Sequence, residues 1–144
     1  MHTHVMDGAA TLAYPRRPSV LRCALAIAAV KLALRLGGFS RTWQAIVRLT
    51  AHPVWLADMH PRFVHDTART VATAAAFFPG RARCLEQSLV LWYCLRRRRV
   101  HAQLRLGVQA APFASHAWVE YLGEPIDEDT DRLAQFSPLP DLPA

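Results

Sequence analysis

The chain has 144 residues, of which 52% are hydrophobic and 19% are charged. This composition excludes a disordered chain, and the length suits one domain that buries roughly two-thirds of its unfolded surface. Ten prolines exclude a single long coiled coil. The three cysteines, Cys23, Cys84 and Cys94, are too few and too scattered for a disulfide framework. We therefore expect a globular, reduced, cytoplasmic domain.

The net charge of +6 conceals an uneven distribution of charge. Residues 1–119 carry 16 basic and four acidic side chains, whereas residues 120–144 carry one basic and seven acidic side chains. No nucleic-acid motif and no interleaved aromatic residues accompany the densest basic run, Arg96–Arg99. The distribution therefore does not predict a nucleic-acid partner.

Residues 1–19 are predicted to form a loosely held arm. A helix is predicted from about Val20 to Leu36, where Gly37 and Gly38 follow. Its apolar stretch is interrupted by Lys31 and Arg35, and it is shorter than the roughly 20 residues of a membrane span. We therefore expect an amphipathic core helix and no stable membrane insertion.

Two further helices are predicted before residue 80. The first spans about residues 40–51, and the second begins near Pro61 or Asp66 and reaches Phe78, before Pro79 and Gly80. This half of the chain also holds three histidines, but their spacings of eight and five match no common zinc pattern. We expect structural or surface roles for them and no metal site; these residues are His52, His60 and His65.

The next pattern predicts a helix over residues 83–98, because apolar residues recur at intervals of three and four. Four arginines, Arg96–Arg99, follow at its carboxyl end, where cations suit the negative end of the helix dipole. Alternation of apolar and polar residues then predicts a strand over 100–108. A second strand is predicted over 116–122, and a short third strand follows the turn near Ile126. The acidic tail is predicted to wrap the surface.

The predicted order is three helices, a fourth helix and then a small antiparallel sheet. This order defines an α+β fold. We expect one domain over residues 1–144, with a helical subdomain at 20–78. The catalytic helix and sheet are expected at 79–137.

Cys84 opens the predicted helix 83–98, and His116 opens a predicted strand 32 residues later. The amino end of a helix supplies positive potential and free N–H groups, which favour a thiolate and can hold an oxyanion. Arg81 and Arg83 add positive charge beside the cysteine. A facing histidine completes a thiolate–imidazolium pair. A lone cysteine on an apolar helix face is more often a packing residue, and we expect that role for Cys23 and Cys94.

A third polar group is needed to orient the histidine ring. Strand alternation places Trp118 on the same face as His116, so the indole is predicted to form a wall of the site. After the turn the chain doubles back and brings Asp127 towards His116, and we favour Asp127 as the third residue. Glu128 and Asp129 lie within two residues of it and stay open as alternatives.

Several segments resemble the lasso peptide biosynthesis B proteins in their stand-alone, transglutaminase-like leader-peptidase form. The segments are Cys84-Leu-Glu-Gln-Ser-Leu-Val-Leu, then a glycine and valine at 107–108, then His116-Ala-Trp-Val-Glu and a glycine three residues later. The resemblance covers about residues 66–137, and the first half of the chain is similar in character alone. Arg99 departs from the pattern, which usually has a glycine there.

The resemblance implies a papain-like cysteine peptidase that removes the leader from a ribosomally made precursor peptide. It implies Cys84 as nucleophile and His116 as base, and it does not fix the acid. Arg83 and Trp118 are expected to contact substrate. The implied partners are the precursor, a small leader-recognition protein, of which no module is evident in this chain, and a separate ATP-dependent lasso cyclase. No cofactor is expected.

Two other functions remain open at this point. The same acyl-thioester could pass to an amine, which would make the protein an acyl transferase. Alternatively, the chain could be a non-catalytic scaffold whose basic part docks an acidic leader or partner.

Overall fold

The computed structural model describes residues 15–53 and 61–143. The predicted arm at 1–19 and the connection around Trp55 therefore lie largely outside the described residues. In the described part, three long helices precede a four-stranded antiparallel sheet, which confirms the predicted α+β fold.

The first helix, α1, spans Val20–Leu49, where the sequence predicted two helices. The break falls at Gly38, whose φ of 70° and ψ of −177° are not helical. Glycine adopts a positive φ without steric cost, so the two segments abut with a kink rather than separate at a loop. The Thr42 hydroxyl donates to the Gly38 carbonyl across this kink, at 2.8 Å.

The second and third helices are α2, Pro61–Ala76, and α3, Cys84–Arg97. Both agree with the predicted positions to within a few residues. The central helix is α3, because it contacts α1, α2 and the first two strands. Its apolar residues Leu89, Val90 and Leu95 are fully buried and form the middle of the core.

The sheet has the order β3-β2-β1-β4. Its central pair is β1, Ala102–Gln109, and β2, Ala114–Tyr121. In this pair Leu104 lies opposite Val119, and both side chains are buried in the core shared with α3. The short strand β3, Glu124–Pro125, extends the sheet beside β2.

The acidic tail is more ordered than the predicted surface wrap. A short helix, α4, Thr130–Leu133, begins at Asp129, whose carboxylate accepts N–H groups of the first turn. Strand β4, Ser137–Pro138, then pairs with β1. Beyond it, the Trp43 indole N–H donates to the Pro143 carbonyl at 2.8 Å, which fixes the tail against α1.

None of the helices in the described ranges is both long enough and apolar enough to cross a membrane.

Candidate active site

Cys84 is the first residue of α3 and is half-buried. The helix begins here because Arg83 has an extended backbone and its N–H donates to Glu86 Oε2 at 2.7 Å. This bond satisfies one N–H group at the helix start, whereas the N–H groups of the first turn have no partner within the helix. The thiol therefore lies at the positive end of a helix dipole, beside free backbone donors.

His116 lies in β2, and its side chain is 10% exposed. The imidazole is enclosed by two aromatic rings. The Trp118 ring is nearly parallel to it at a centroid distance of 6.0 Å, and the Phe136 ring lies at 5.5 Å. The tail thus supplies one of the rings that hold His116, which alternation along the strand could not indicate.

The acid that contacts His116 is Glu128, because its Oε2 lies 3.2 Å from His116 Nε2. Asp127, which the sequence favoured, lies instead with Oδ1 2.7 Å from Nδ1 of His65 on α2. The reason is the backbone at Asp127, whose φ of 50° is left-handed, and neighbouring side chains therefore diverge. Asp129, the third alternative, caps α4.

Cys84 and His116 line one cleft of about 390 Å³. Small apolar residues of α2 form part of the wall, and Glu128 lines the cleft as well. Since His116 Nε2 is engaged by Glu128, Nδ1 is the nitrogen left for the thiol. In the described part of the chain the two residues do not hydrogen-bond to each other, and pairs of this kind often tighten when substrate binds.

A buried hydrogen bond fixes α3 relative to β2. The Ser88 hydroxyl, one turn after Cys84, donates to the Ala117 carbonyl at 2.9 Å. Ser88 is 7% exposed, so the bond is shielded from water. It connects the helix that carries the thiol to the residue after His116.

Trp118 is buried at 5% exposure and is absent from the lining of the cleft. Its indole N–H donates to Glu120 Oε1 at 3.0 Å, and Glu120 pairs with Arg105 of β1. A Cβ at Gly107 would lie 2.9 Å from the Trp118 ring and 3.0 Å from Phe136, so a glycine leaves room for both. Trp118 therefore contacts the His116 ring rather than the open cleft.

Arg83, the other residue expected to contact substrate, is exposed and lines a different cavity. Sequence reasoning did not identify Glu128 as first choice, and it missed Phe136 and Ser88 altogether. Ser88 carried a signal that could have been used, because a polar residue on an otherwise apolar helix face needs a partner.

The other two cysteines differ in burial: Cys23 is buried, and Cys94 on α3 is half-buried. Cys23 on α1 is 1% exposed. The hydrogen bond to Cys23 and burial raise the pKa of the Cys94 thiol. The two thiols therefore contact each other, whereas Cys84 lines the cleft.

Among the residues that the structure describes, no group of three or more His, Cys, Asp or Glu side chains could hold a metal ion.

The family profile described as the transglutaminase-like superfamily matches residues 11–141. The chain therefore belongs to the transglutaminase-like superfamily, which includes cysteine peptidases and acyl transferases. Comparison with the curated proteins and with the solved structures found no match. The family agrees with the transglutaminase-like form that the resemblance implied.

Proposed function

We propose that this protein is a cysteine peptidase that removes the leader from a ribosomally synthesised lasso precursor peptide. The observation that carries the proposal is the cleft lined by Cys84, at a helix start, and by His116, which is hydrogen-bonded to Glu128. Membership of the transglutaminase-like superfamily supports cysteine chemistry in general. The resemblance of the segments around Cys84 and His116 to lasso B proteins supports the choice of substrate.

In the proposed reaction, His116 Nδ1 accepts the thiol proton of Cys84, and the sulfur attacks the carbonyl carbon at the leader–core junction. The free N–H groups at the start of α3 stabilise the oxyanion. The C–N bond breaks as His116 returns the proton to the core amine. Water, deprotonated by His116, then cleaves the thioester and releases the leader as a carboxylic acid.

Glu128 has a positioning role in this scheme. Its carboxylate accepts the Nε2–H of His116, which directs Nδ1 towards the thiol and stabilises the imidazolium that forms. The proposal therefore takes Cys84, His116 and Glu128 as the triad. Asp127, paired with His65, has no direct part in it.

The proposed setting is the cytoplasm, where a small leader-recognition protein delivers the precursor. After cleavage, a separate ATP-dependent cyclase would use the freed amino terminus to close the macrolactam. These partners are implied by the resemblance and form part of the proposal.

A second candidate function is acyl transfer to an amine, which the superfamily match favours because the superfamily includes acyl transferases. Both reactions pass through the same thioester on Cys84. They differ in the second nucleophile, and the mass of the released leader distinguishes them. A free carboxylic acid supports the peptidase, and an amide supports the transferase.

The test is cleavage of a lasso precursor peptide in the presence of its leader-recognition protein, followed by mass spectrometry. The wild-type protein is expected to yield leader and core, and Cys84→Ala is expected to yield neither. Cys94→Ala serves as the matched control and should still cleave. Cleavage by Cys84→Ala at the wild-type rate would overturn the assignment of the nucleophile.

A further inference from the structure

A second cavity, of about 580 Å³, lies beside the start of α3. It is formed by α1, by the segment before α3 and by the first turn of α3. Arg83 and Leu85 line this cavity, whereas Cys84 between them lines the catalytic cleft. The two cavities therefore approach each other at adjacent residues, and consecutive Cα atoms are about 3.8 Å apart.

The second cavity is strongly cationic. Four basic side chains line it, and Glu86 is the carboxylate among the described lining residues, so its formal charge is +3. The four basic residues are Lys31, Arg35, Arg81 and Arg83.

Lys31 and Glu86 are engaged with each other and with the fold. The Lys31 ammonium donates to the Arg81 carbonyl, lies 3.9 Å from Glu86 Oε2 and lies 5.6 Å from the Phe78 ring centroid. Glu86 also accepts the Arg83 N–H. This pair therefore joins α1 to the start of α3 and forms a fixed part of the cavity.

Among the described residues, the other three cations of the cavity have no such partner. Within the ranges that the structure describes, no carboxylate pairs with the guanidinium groups of Arg35, Arg81 or Arg83, and all three residues are exposed. Guanidinium groups bind carboxylates in a bidentate geometry. Three of them around one cavity therefore favour an acidic ligand.

The cavity also has an apolar surface, formed by Leu34, Phe39 and Leu85. A ligand that matches both parts combines carboxylates with an apolar side chain, as an acidic peptide does. An extended peptide advances about 3.3 Å per residue, so a chain bound at Cys84 reaches the cavity within a few residues.

We propose that this cavity, which we call the arginine cavity, binds an acidic segment of the peptide substrate within a few residues of the cleaved bond. This inference rests on the proposed peptidase function. The inference adds a substrate class to the proposed function, namely peptides with Asp or Glu beside an apolar residue. The arginine cavity selects and positions the peptide, and Cys84 carries out the chemistry.

The test measures binding without cleavage, so that its outcome is separate from that of the peptidase assay. A rhodamine-labelled short peptide, with a leucine flanked by glutamates, is titrated with the Cys84→Ala protein, and anisotropy is recorded. A matched peptide has glutamines in place of the glutamates. The protein variants are Arg35→Gln/Arg81→Gln and, as control, Arg22→Gln, which lies on the same helix about 20 Å away.

We expect the glutamate peptide to bind more tightly than the glutamine peptide. The Arg35→Gln/Arg81→Gln double variant should weaken binding about tenfold, because each exposed ion pair contributes a modest amount. Arg22→Gln should leave the affinity unchanged, and a salt concentration of about 1 M should remove most of the preference for glutamate. Equal affinity for the two peptides, or an equal loss with Arg22→Gln, would overturn the proposal.

Discussion

Asp127 and Glu128 are consecutive acidic residues with different partners. Asp127 pairs with His65 on α2, at an exposed position, whereas Glu128 contacts the largely buried His116. The left-handed backbone at Asp127 makes this divergence possible. The loop is thereby held at two points, and both carboxylates line the cleft.

This arrangement predicts unequal effects of removing the two charges. Glu128→Gln should lower kcat/KM for precursor cleavage by about 100-fold, because the imidazole loses the carboxylate that orients it and stabilises its charged form. Asp127→Asn should lower it by less than about fivefold, because an exposed pair contributes little. Steady-state cleavage kinetics measure both. The reverse order would assign the positioning role to Asp127.

Arg99 has a φ of 63° directly after α3, in the region where a glycine has no steric penalty. Arg99→Gly should therefore raise the free energy of unfolding by about 0.5–1 kcal/mol, the relief of strain exceeding the added entropy of the unfolded chain. Arg97→Gly, at the last residue of α3, is the matched control and should lower it by up to about 1 kcal/mol, because glycine has a low helix propensity. Urea unfolding monitored by circular dichroism checks both, and a loss of stability in Arg99→Gly would contradict the interpretation.

At the scale of elements, α3 is joined to both central strands by buried side-chain hydrogen bonds. Ser88 donates to the Ala117 carbonyl of β2, and the Trp92 indole donates to the Ala102 carbonyl of β1 at 3.0 Å. These two bonds hold α3 against the sheet at two points along the helix. The distance between the Cys84 and His116 backbones is thus set by α3 and β2 together.

Ser88→Ala should lower the free energy of unfolding by about 1–2 kcal/mol, because the Ala117 carbonyl loses a buried donor. Ser40→Ala, at an exposed position on α1, is the control and should change stability by less than about 0.5 kcal/mol. Chemical denaturation of the three proteins provides the measurement. Equal midpoints for Ser88→Ala and wild type would show that the bond does not stabilise the contact between α3 and β2.

The long periodic elements could be predicted from the sequence, since the apolar residues of α3 recur at intervals of three and four and those of β1 alternate with polar residues. The sequence predicted a helix end at the place where the structure has the kink at Gly38. A glycine is a local signal, and it does not indicate whether tertiary packing continues the helix beyond it. Strand β4 has two residues, Ser137–Pro138, and so carries no periodicity. Its position depends on pairing with β1, which is a long-range contact.

The same limit applies to the candidate site. Cys84 and His116 could be proposed because one begins a helix and the other lies in an alternating strand. The choice of Asp127 over Glu128 rested on the direction of the returning chain. The left-handed φ at Asp127 departs from the extended backbone that this choice assumed, and alternation along a strand gives no sign of it.

At the scale of the whole molecule, the basic residues 1–119 and the acidic residues 120–144 are related by contacts of the acidic side chains. Five of the seven acidic residues in 120–144 have partners in the fold: Glu120, Asp127, Glu128, Asp129 and Asp141. The acidic tail therefore neutralises specific groups near the sheet and the candidate site. Cations around the start of α3 stay available, which suits both a thiolate and an acidic peptide.

The central claim is that Cys84 is a nucleophile activated with His116, and selective alkylation tests it most directly. At about pH 7, iodoacetamide should modify Cys84 first, as peptide-mapping mass spectrometry would detect. Cys23 is buried, and the hydrogen bond to Cys23 and burial raise the pKa of Cys94, so both should react far more slowly. In His116→Ala, alkylation of Cys84 should slow by about tenfold or more. Modification of all three cysteines at similar rates, or no effect of His116→Ala, would contradict the account.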